Sequence, residues 1–530
     1  MFKDVKKETL CLLLTVVLIT AWFLTIRFID NSQQALWTDE TVSALFVANQ
    51  SPLTRPFWQA LKAQVAGMPW SFIEYWAYLE VLKKIPFEHL MKNLELYIRL
   101  PIMAYSLITI VAAFLMIRRL SKSLLVASFV TTFIFVINYL SAYLSGILRF
   151  HTVGFAYSTL SWCLLAFFCT STGAPRKKQY ALLFFWVMFV IINGWSHIYS
   201  VYSLLLQWGV YCLVGLGWVP RLSLPPVSQW MKRLALFAVG LFGVLQVFFF
   251  FHYMSVPGYR GGKPPSVPVT PIEAFVKTIA PFNDLVLLPG IWFWVIALLL
   301  LIIFALKNNN LPRGEKWKMY LIFLLSVSQL LVGFVYGTRM ELLNWPATAS
   351  YTLIGIVPFV FFLSYLAEFS VKAQWDEKPI AYLISLFLIG YCLISPRAVP
   401  TLYRISPQLN LPIQPRPPVD LRWHDMREQL LKLNAYGKVN YIFGAVPTKD
   451  HSWQKDVHGR DIDHTWQVYS GGPFSVASIT QYTHNLYGGR TGLSCSDRNE
   501  YPIAQNQPAA QEYAVDFCEE GKVFVRVVKK

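Results

Sequence analysis

Long apolar runs alternate with short polar stretches along most of the chain as far as Pro396. Each run holds about 17 to 22 residues, the length at which an α-helix crosses the hydrocarbon core of a bilayer. The pattern therefore predicts a polytopic α-helical membrane domain over residues 1–396 with about eleven transmembrane helices. The predicted spans begin near Leu10, Leu100, Leu124, Val153, Tyr180, Ile198, Leu234, Leu285, Met319, Ala347 and Pro379.

Two polar segments between the spans are long enough to form outer loops. The first covers residues 30–98, and its part from Pro69 to Ile85 carries aromatic and aliphatic residues at near-helical spacing. That spacing predicts an amphipathic helix lying on the outer membrane surface. The second covers residues 253–284 and is rich in proline and glycine, which predicts a loop that is either mobile or ordered by substrate.

The chain after the last predicted span has a different composition. Residues 397–419 form a proline-rich linker, and residues 420–530 have an ordinary mixture of polar and apolar positions, so we predict a small α/β domain there. The expected elements are a helix at Arg422–Leu433 and strands at Val439–Phe443, Phe474–Ile479 and Val523–Val528.

The overall composition places the chain among membrane proteins. Of its 530 residues, 55% are hydrophobic and only 14% are charged, which excludes an ordinary soluble globular protein. The formal net charge is +17, but the basic residues form short clusters in every second loop. Because such clusters set the orientation in the membrane, they indicate a cytoplasmic N-terminus and no nucleic-acid partner. An odd number of spans then places the C-terminal domain outside the cytoplasm.

The first span and two of the cysteines bear on processing and oxidation. The first span follows a basic start but precedes no small-residue cleavage site, so we expect an uncleaved anchor. Cys495 and Cys518 lie in the polar tail, where a disulfide could form outside the cytoplasm. Two unpaired thiols remain the alternative.

An adjacent acidic pair, Asp39 and Glu40, lies about ten residues beyond the first predicted span, at the outer face of the membrane. The chain is poor in acids, with 29 Asp and Glu against 46 Lys and Arg. Two neighbouring carboxylates repel each other unless a cation, a donor or a substrate compensates them. We therefore treat the pair as the candidate catalytic centre; the alternative is that Thr38 and Asp39 only cap a surface helix.

Several other ionisable residues fall at the outer ends of spans, where a charge is costly and a functional role is the first hypothesis. Together with the acidic pair, these cations suit an anionic donor, because a carboxylate can deprotonate an acceptor while arginines hold a phosphate leaving group. The alternatives are snorkelling arginines, helix-end histidines with satisfied hydrogen bonds, and plain loop charges. The residues are Arg99, Arg149, His151, His197, Arg260 and Arg339.

Four short stretches in the membrane part resemble a known family. They are Trp37–Glu40, Glu95–Pro101 with its Arg–Leu–Pro turn, Arg149–His151 and His197–Tyr199. In this order they resemble the membrane glycosyltransferases with the GT-C fold, particularly the protein O-mannosyltransferase and aminoarabinose transferase type. The resemblance extends to about Glu368. It fails in a late span, where family members often have an Arg–Tyr pair and the stretch before Tyr351 lacks the arginine.

The resemblance implies an inverting transfer of a sugar from a polyprenyl-phosphate donor to a lipid, glycan or protein acceptor at the outer face of the plasma membrane, the inner membrane in a bacterium. Asp39 would be the general base, and Glu40 would position Asp39 or the acceptor. Arg99 and one or more of the other arginines would bind the lipid phosphate, and the two histidines would contact substrate. The resemblance requires no cofactor, although a divalent metal remains open.

Two other functions fit parts of the sequence. A lipid or sugar transporter would also combine many spans with a few buried charges, but the chain shows no internal repeat. An oligosaccharide polymerase or ligase would use arginine and histidine in a large outer loop such as residues 253–284. Neither alternative explains an acidic pair directly after the first span.

Overall fold

The computed structural model describes residues 7–33, 84, 94–137, 150–196, 200–255, 318, 346–370, 439–441, 516–519, 523–526 and 528–529. The chain divides into two compact units. One unit includes residues 100–414, and the other includes residues 415–530 together with shorter earlier segments.

Helices make up the described part of the first unit, and residues 29–33 and 94–99 at the ends of two of them belong to the second unit. Their order is α1 (Lys7–Gln33), α2 (Leu94–Ser121), α3 (Leu124–Val130) with a π-helical continuation (Thr131–Ile137), α4 (Phe150–Cys169), α5 (Arg176–Ser196), α6 (Ser200–Gly215), α7 (Gln229–Ser255) and α8 (Pro346–Ser370).

Four of these helices contain segments long and apolar enough to cross a bilayer, namely Arg99–Ser121, Thr152–Cys169, Arg176–Ser196 and Gln229–Phe248. They confirm apolar helices of membrane-crossing length at the positions predicted near Leu100, Val153, Tyr180 and Leu234. Shorter apolar stretches lie at four further predicted spans: Leu10–Ala21, Leu124–Val136, Ser200–Gly215 and Ile356–Glu368. The spans predicted near Leu285, Met319 and Pro379 lie outside the described residues, so the total of eleven stays a prediction.

The centre of the helical unit is α4. Of its membrane-length segment 78% is buried, against 22% for that of α7, which presents most of its apolar surface outward. The Trp162 ring packs 4.7 Å from the Phe361 ring of α8, measured between centroids. On α5, Trp186 stacks on Tyr211 of α6 at 4.9 Å. Large aromatic side chains thus join α4, α5, α6 and α8 into one apolar core.

A chain of buried hydrogen bonds crosses the same core. The Trp162 indole Nε1 donates to Ser203 Oγ over 2.8 Å. Gln207 Nε2 donates to Ser161 Oγ over 2.8 Å, and its Oε1 accepts from Trp186 Nε1 over 3.0 Å. Because an unpaired polar group in apolar surroundings is costly, these bonds select one mutual orientation of α4, α5 and α6.

Helices α2, α4 and α8 all run toward the same end of the helical unit. There, Arg119 near the end of α2 bonds to Thr170 just after α4. Ser223 N donates to Cys169 O over 3.3 Å, and Tyr365 Oη of α8 donates to Pro220 O over 2.8 Å. We call this the basic end, because it also holds Arg118, Lys122 and Arg221.

The helix bounds correct part of the sequence interpretation. The prediction of a turn at Arg99–Leu100–Pro101 was wrong, since α2 begins at Leu94 and continues through Pro101 as helix. Proline has no N–H and its ring crowds the carbonyl four residues earlier, so Pro101 removes one intrahelical bond from α2. Apolar helices tolerate such a proline where neighbouring groups satisfy the freed carbonyl. Helix α7 continues to Ser255, two residues past the predicted start of the second outer loop.

The described part of the second unit includes four short strands in two antiparallel pairs. Strand β1 (Val439–Tyr441) pairs with β4 (Val528–Lys529), and β2 (Asp516–Glu519) pairs with β3 (Val523–Arg526). Strands were predicted at the positions of β1 and β3, whereas β2 was not predicted. The predicted helix at 422–433 and strand at 474–479 lie outside the described residues, so the α/β domain stays a prediction.

Candidate functional site

Most of the residues predicted to form the site lie outside the described part of the chain. Arg99 lies in α2, and His151 is the second residue of α4. Cys518 lies in β2 opposite Phe524, but its predicted partner Cys495 is not described, so the disulfide stays a prediction. The residues outside the described part are Asp39, Glu40, Arg149, His197, Arg260, Arg339 and Cys495.

Arg99 is buried, with 3% of its surface exposed. Arginine is seldom buried to this extent unless its charge is paired, because removing a guanidinium from water costs several kcal/mol. It lies in the second turn of α2, at the start of an apolar segment that continues to Ser121. Such a residue at the end of a span is a functional candidate by default.

The side-chain contacts between α2 and α4 show which of their residues lie at the same level. The rings of Tyr105 and Tyr157 lie 5.8 Å apart. Arg119 bonds to Thr170, 51 residues further along the chain. In both contacts the two residues are separated by nearly the same number of positions in the sequence. Helices α2 and α4 therefore run in the same direction, and each residue of α2 lies level with the residue of α4 at that separation. Extending this register toward the helix starts places the backbone of His151 level with Leu100, the neighbour of Arg99.

Helix α5 runs the opposite way beside α4. The rings of Tyr157 and Phe189 lie 5.9 Å apart, and Gln179 Nε2 donates to Ser171 O over 3.0 Å. Extending this antiparallel register by six residues places Trp195 level with His151. His197 is the first residue after α5 ends. We call the level of Leu100, His151 and Trp195 the far end.

The basic and far ends are separated by about the thickness of a membrane. From Leu100 to Arg118 the α2 backbone rises about 27 Å at 1.5 Å per residue. The hydrocarbon core of a bilayer is about 30 Å thick. If α2 crosses the membrane, the two ends therefore face opposite sides of it.

Buried polar groups without partners flank the connection that holds His197. Neither amide atom of Asn193 on α5 has a hydrogen-bond partner among the described residues, and the same is true of Ser200 Oγ at the start of α6. Both side chains are fully buried. A buried amide or hydroxyl normally has a partner, since its absence costs about 1–3 kcal/mol. Such groups can hydrogen-bond sugar hydroxyls or side chains from the undescribed segments.

The basic end contains an ion-pair cluster that the sequence interpretation missed. Glu368, in the last turn of α8, has 8% of its side chain exposed. Its Oε1 lies 2.5 Å from Lys122 Nζ and 3.5 Å from Arg221 Nη1. Both basic residues have a left-handed backbone, with φ of 55° at Lys122 and 61° at Arg221. The sequence pattern assigns these basic residues only to orientation in the membrane. Glu368 lies at the end of a predicted span in a chain that is poor in acids. That position was the sequence signal that this acid pairs with basic residues.

A cavity of about 620 Å³ opens beside this cluster. Arg119 forms one wall, and its Nε and Nη2 donate over 2.6 Å to the hydroxyl and the carbonyl of Thr170. Its guanidinium also lies 5.5 Å from the centroid of the Phe167 ring. Arg118 Nη1 donates to the carbonyl of Lys122. The lining therefore holds cationic side chains in defined positions.

Among the described residues, no three His, Cys, Asp or Glu side chains form a group that could hold a metal ion. The acidic pair lies outside those residues, so the question of a divalent metal stays open for it. No protein-family model matches this sequence, and no curated protein matches it. The resemblance to GT-C glycosyltransferases consequently rests on the four short stretches alone.

Proposed function

We propose that this protein is a membrane glycosyltransferase of the GT-C type, which moves a sugar from a polyprenyl-phosphate donor to a lipid, glycan or protein acceptor. The observation that carries the proposal is the buried position of Arg99. It lies in the second turn of α2, at the start of the apolar segment Arg99–Ser121. A buried cation at one end of a set of apolar helices suits a lipid phosphate that enters from the membrane.

Arg99 binds the phosphate of the donor in this proposal. A guanidinium can donate two parallel hydrogen bonds to phosphate oxygens, and burial strengthens them because little water competes. Arg149 directly precedes α4 in sequence and is the proposed second cation. Arg260 and Arg339 follow α7 and precede α8, respectively, and one or both complete the phosphate site.

Asp39 is the proposed general base. Its carboxylate takes the proton from the acceptor hydroxyl or amine as that group attacks the anomeric carbon, and the bond to the lipid phosphate breaks on the opposite face. The polyprenyl phosphate leaves with the bonding electrons while the arginines stabilise its charge, so the anomeric configuration inverts. Glu40 positions Asp39 or the acceptor, and His151 and His197 contact the substrate.

The proposed orientation places the basic end in the cytoplasm. Arg118, Lys122 and Arg221 lie together at that end, and positively charged loops stay on the cytoplasmic side of a membrane. The far end, the acidic pair and the C-terminal region then face outward. Donor and acceptor would meet at the outer surface of the plasma membrane.

The proposal is tested by mass spectrometry of lipids, glycans and exported proteins from cells with the active chain, without it, and with Arg99→Gln. We expect one of these three classes to lose a single sugar mass both without the chain and with Arg99→Gln. Arg99→Lys is the matched variant, because it keeps the charge but lacks the two-pronged donor; we expect it to restore part of the signal. An unchanged profile in all three classes would contradict transfer and favour transport.

A further inference from the structure

Two buried amides without hydrogen-bond partners lie where α5, α6 and α7 meet. Asn193 on α5 and Gln246 on α7 are fully buried, and the nitrogen and the oxygen of each amide lack a partner among the described residues. In that part of the chain, no other buried side-chain amide is wholly unpartnered. Buried amides are normally paired, so these two exceptions call for a physical reason.

Leu204 of α6 marks the junction of the three helices. A Cβ atom at Gly194 of α5 would lie 3.2 Å from Leu204 Cδ1, and one at Gly243 of α7 would lie 2.9 Å from Leu204 Cδ2. Further along α6, Tyr211 Oη donates to the carbonyl of Lys232, which precedes Gly243 on α7. Helices α6 and α7 are therefore antiparallel.

The junction brings three polar side chains close together. Ser200 lies four residues before the junction leucine, and Gln246 lies three residues after the junction glycine of α7. Residues at these spacings share a helix face, and in antiparallel helices both positions lie on the same side of the junction. Asn193 is the direct neighbour of the junction glycine of α5. Ser200 Oγ is also fully buried and lacks a partner among the described residues.

We propose that Asn193, Ser200 and Gln246 bind the hydroxyl groups of the sugar carried by the donor. The inference rests on the proposed function and adds to it an uncharged subsite. Amides and hydroxyls both donate and accept, as sugar hydroxyls do, and none of the three side chains carries the charge that a phosphate requires. The Trp195 ring, 6.0 Å from that of Phe242, adds the aromatic surface typical of sites for small polar ligands.

The subsite is closed in this structure, and α7 is the helix that can open it. Only 22% of its membrane-length segment is buried, against 39% for that of α5. The start of α7 is held by hydrogen bonds, since Ser228 N donates to Tyr180 Oη over 3.2 Å and Lys232 O accepts from α6. At the junction α7 packs through the apolar contacts of Phe242 and Gly243. An outward movement of its second half would expose the unpaired groups to a sugar.

The test measures which polyprenyl phosphates the purified full-length protein retains in detergent. The probe is the lipid extract of cells that lack the active chain, and mass spectrometry gives the ratio of sugar-bearing to sugar-free polyprenyl phosphate on folded protein. The test variants are Ser200→Ala and Gln246→Leu. The matched control is Ser128→Ala, which removes from α3 another fully buried hydroxyl without a partner among the described residues.

We expect the wild type and the control to enrich the sugar-bearing lipid equally. Each test variant should lower the enrichment about fivefold, which corresponds to about 1 kcal/mol for a lost hydrogen bond at about 1.4 kcal/mol per tenfold. An equal loss in the control would overturn the subsite, because removal of any unpaired buried hydroxyl would then have the same effect.

Unfolding temperatures without lipid separate binding from a structural role. Ser200→Ala and Gln246→Leu remove groups that have no partner in the closed state, so both variants should be at least as stable as the wild type. Weaker enrichment combined with a lower unfolding temperature in both variants would show that these residues support the fold, and the subsite would be wrong.

The same experiment distinguishes the subsite from the proposed function. If all proteins retain polyprenyl phosphates with the same ratio of sugar-bearing to sugar-free lipid, the subsite is wrong while the proposed donor class stands. If the wild type retains neither lipid, the proposed function is contradicted, and the subsite is overturned with it.

Discussion

Lys122 Nζ lies 2.5 Å from Glu368 Oε1, joining two residues that are 246 positions apart in the chain. The contact ties the connection after α2 to the last turn of α8. Arg221, from the connection between α6 and α7, reaches the same oxygen. Three separate parts of the helical unit are thus joined through one largely buried carboxylate.

Glu368→Gln should destabilise the helical unit by about 1–2 kcal/mol, because it removes the charge that compensates two cations while Lys122 itself is largely exposed. Thermal unfolding in detergent, without added lipid, measures this loss. In combination with Lys122→Gln the losses should be less than additive, as expected for residues in direct contact. Strict additivity would show that the pair does not interact.

Lys122→Gly should be more stable than Lys122→Ala by about 1 kcal/mol. Both variants lack the ammonium group, so their difference isolates the backbone. The φ of 55° suits glycine and strains alanine. Equal unfolding temperatures would mean that the backbone at this position is not left-handed.

The two fully buried glutamines Gln207 and Gln246 should respond differently to replacement by leucine. Gln207→Leu deprives the Trp186 indole of its acceptor and Ser161 of its donor, and it should cost about 0.6–2 kcal/mol. Both amide atoms of Gln246 on α7 lack partners among the described residues, so Gln246→Leu should be neutral or stabilising. Unfolding of the two variants side by side checks the contrast; a larger loss for Gln246→Leu would contradict it.

Close approach of α5 and α7 at Gly194 makes this glycine sensitive to substitution. A Cβ atom there would lie 2.5 Å from Phe242 Cε1, so Gly194→Ala should cost about 1–3 kcal/mol. At Gly209 on α6 a Cβ would meet nothing within 4 Å, and Gly209→Ala should instead stabilise the helix by up to about 1 kcal/mol. Unfolding temperatures that move in the same direction would be inconsistent with this packing.

Apolar run length was enough to predict the four long apolar helices, because that prediction needs only length and hydrophobicity. Local patterns failed where a longer-range interaction decides the outcome. The sequence predicts a turn at Arg99–Leu100–Pro101, yet α2 continues through it, since packing of an apolar helix can satisfy the groups that an interior proline frees. Lys122 and Arg221 were interpreted as orientation charges, because nothing local shows that Glu368 lies beside them in the fold. The register between α2 and α4 depends equally on distant contacts.

The central claim, sugar transfer with Asp39 as the general base, is tested most directly by Asp39→Asn. Asp30→Asn, which removes an acid in the last turn of α1, is the matched control. Both variants are compared with the wild type at equal protein level in the membrane, and the modified product is measured by mass spectrometry. We predict that Asp39→Asn abolishes the sugar addition while Asp30→Asn retains it; sugar addition by Asp39→Asn at the wild-type rate would contradict the account.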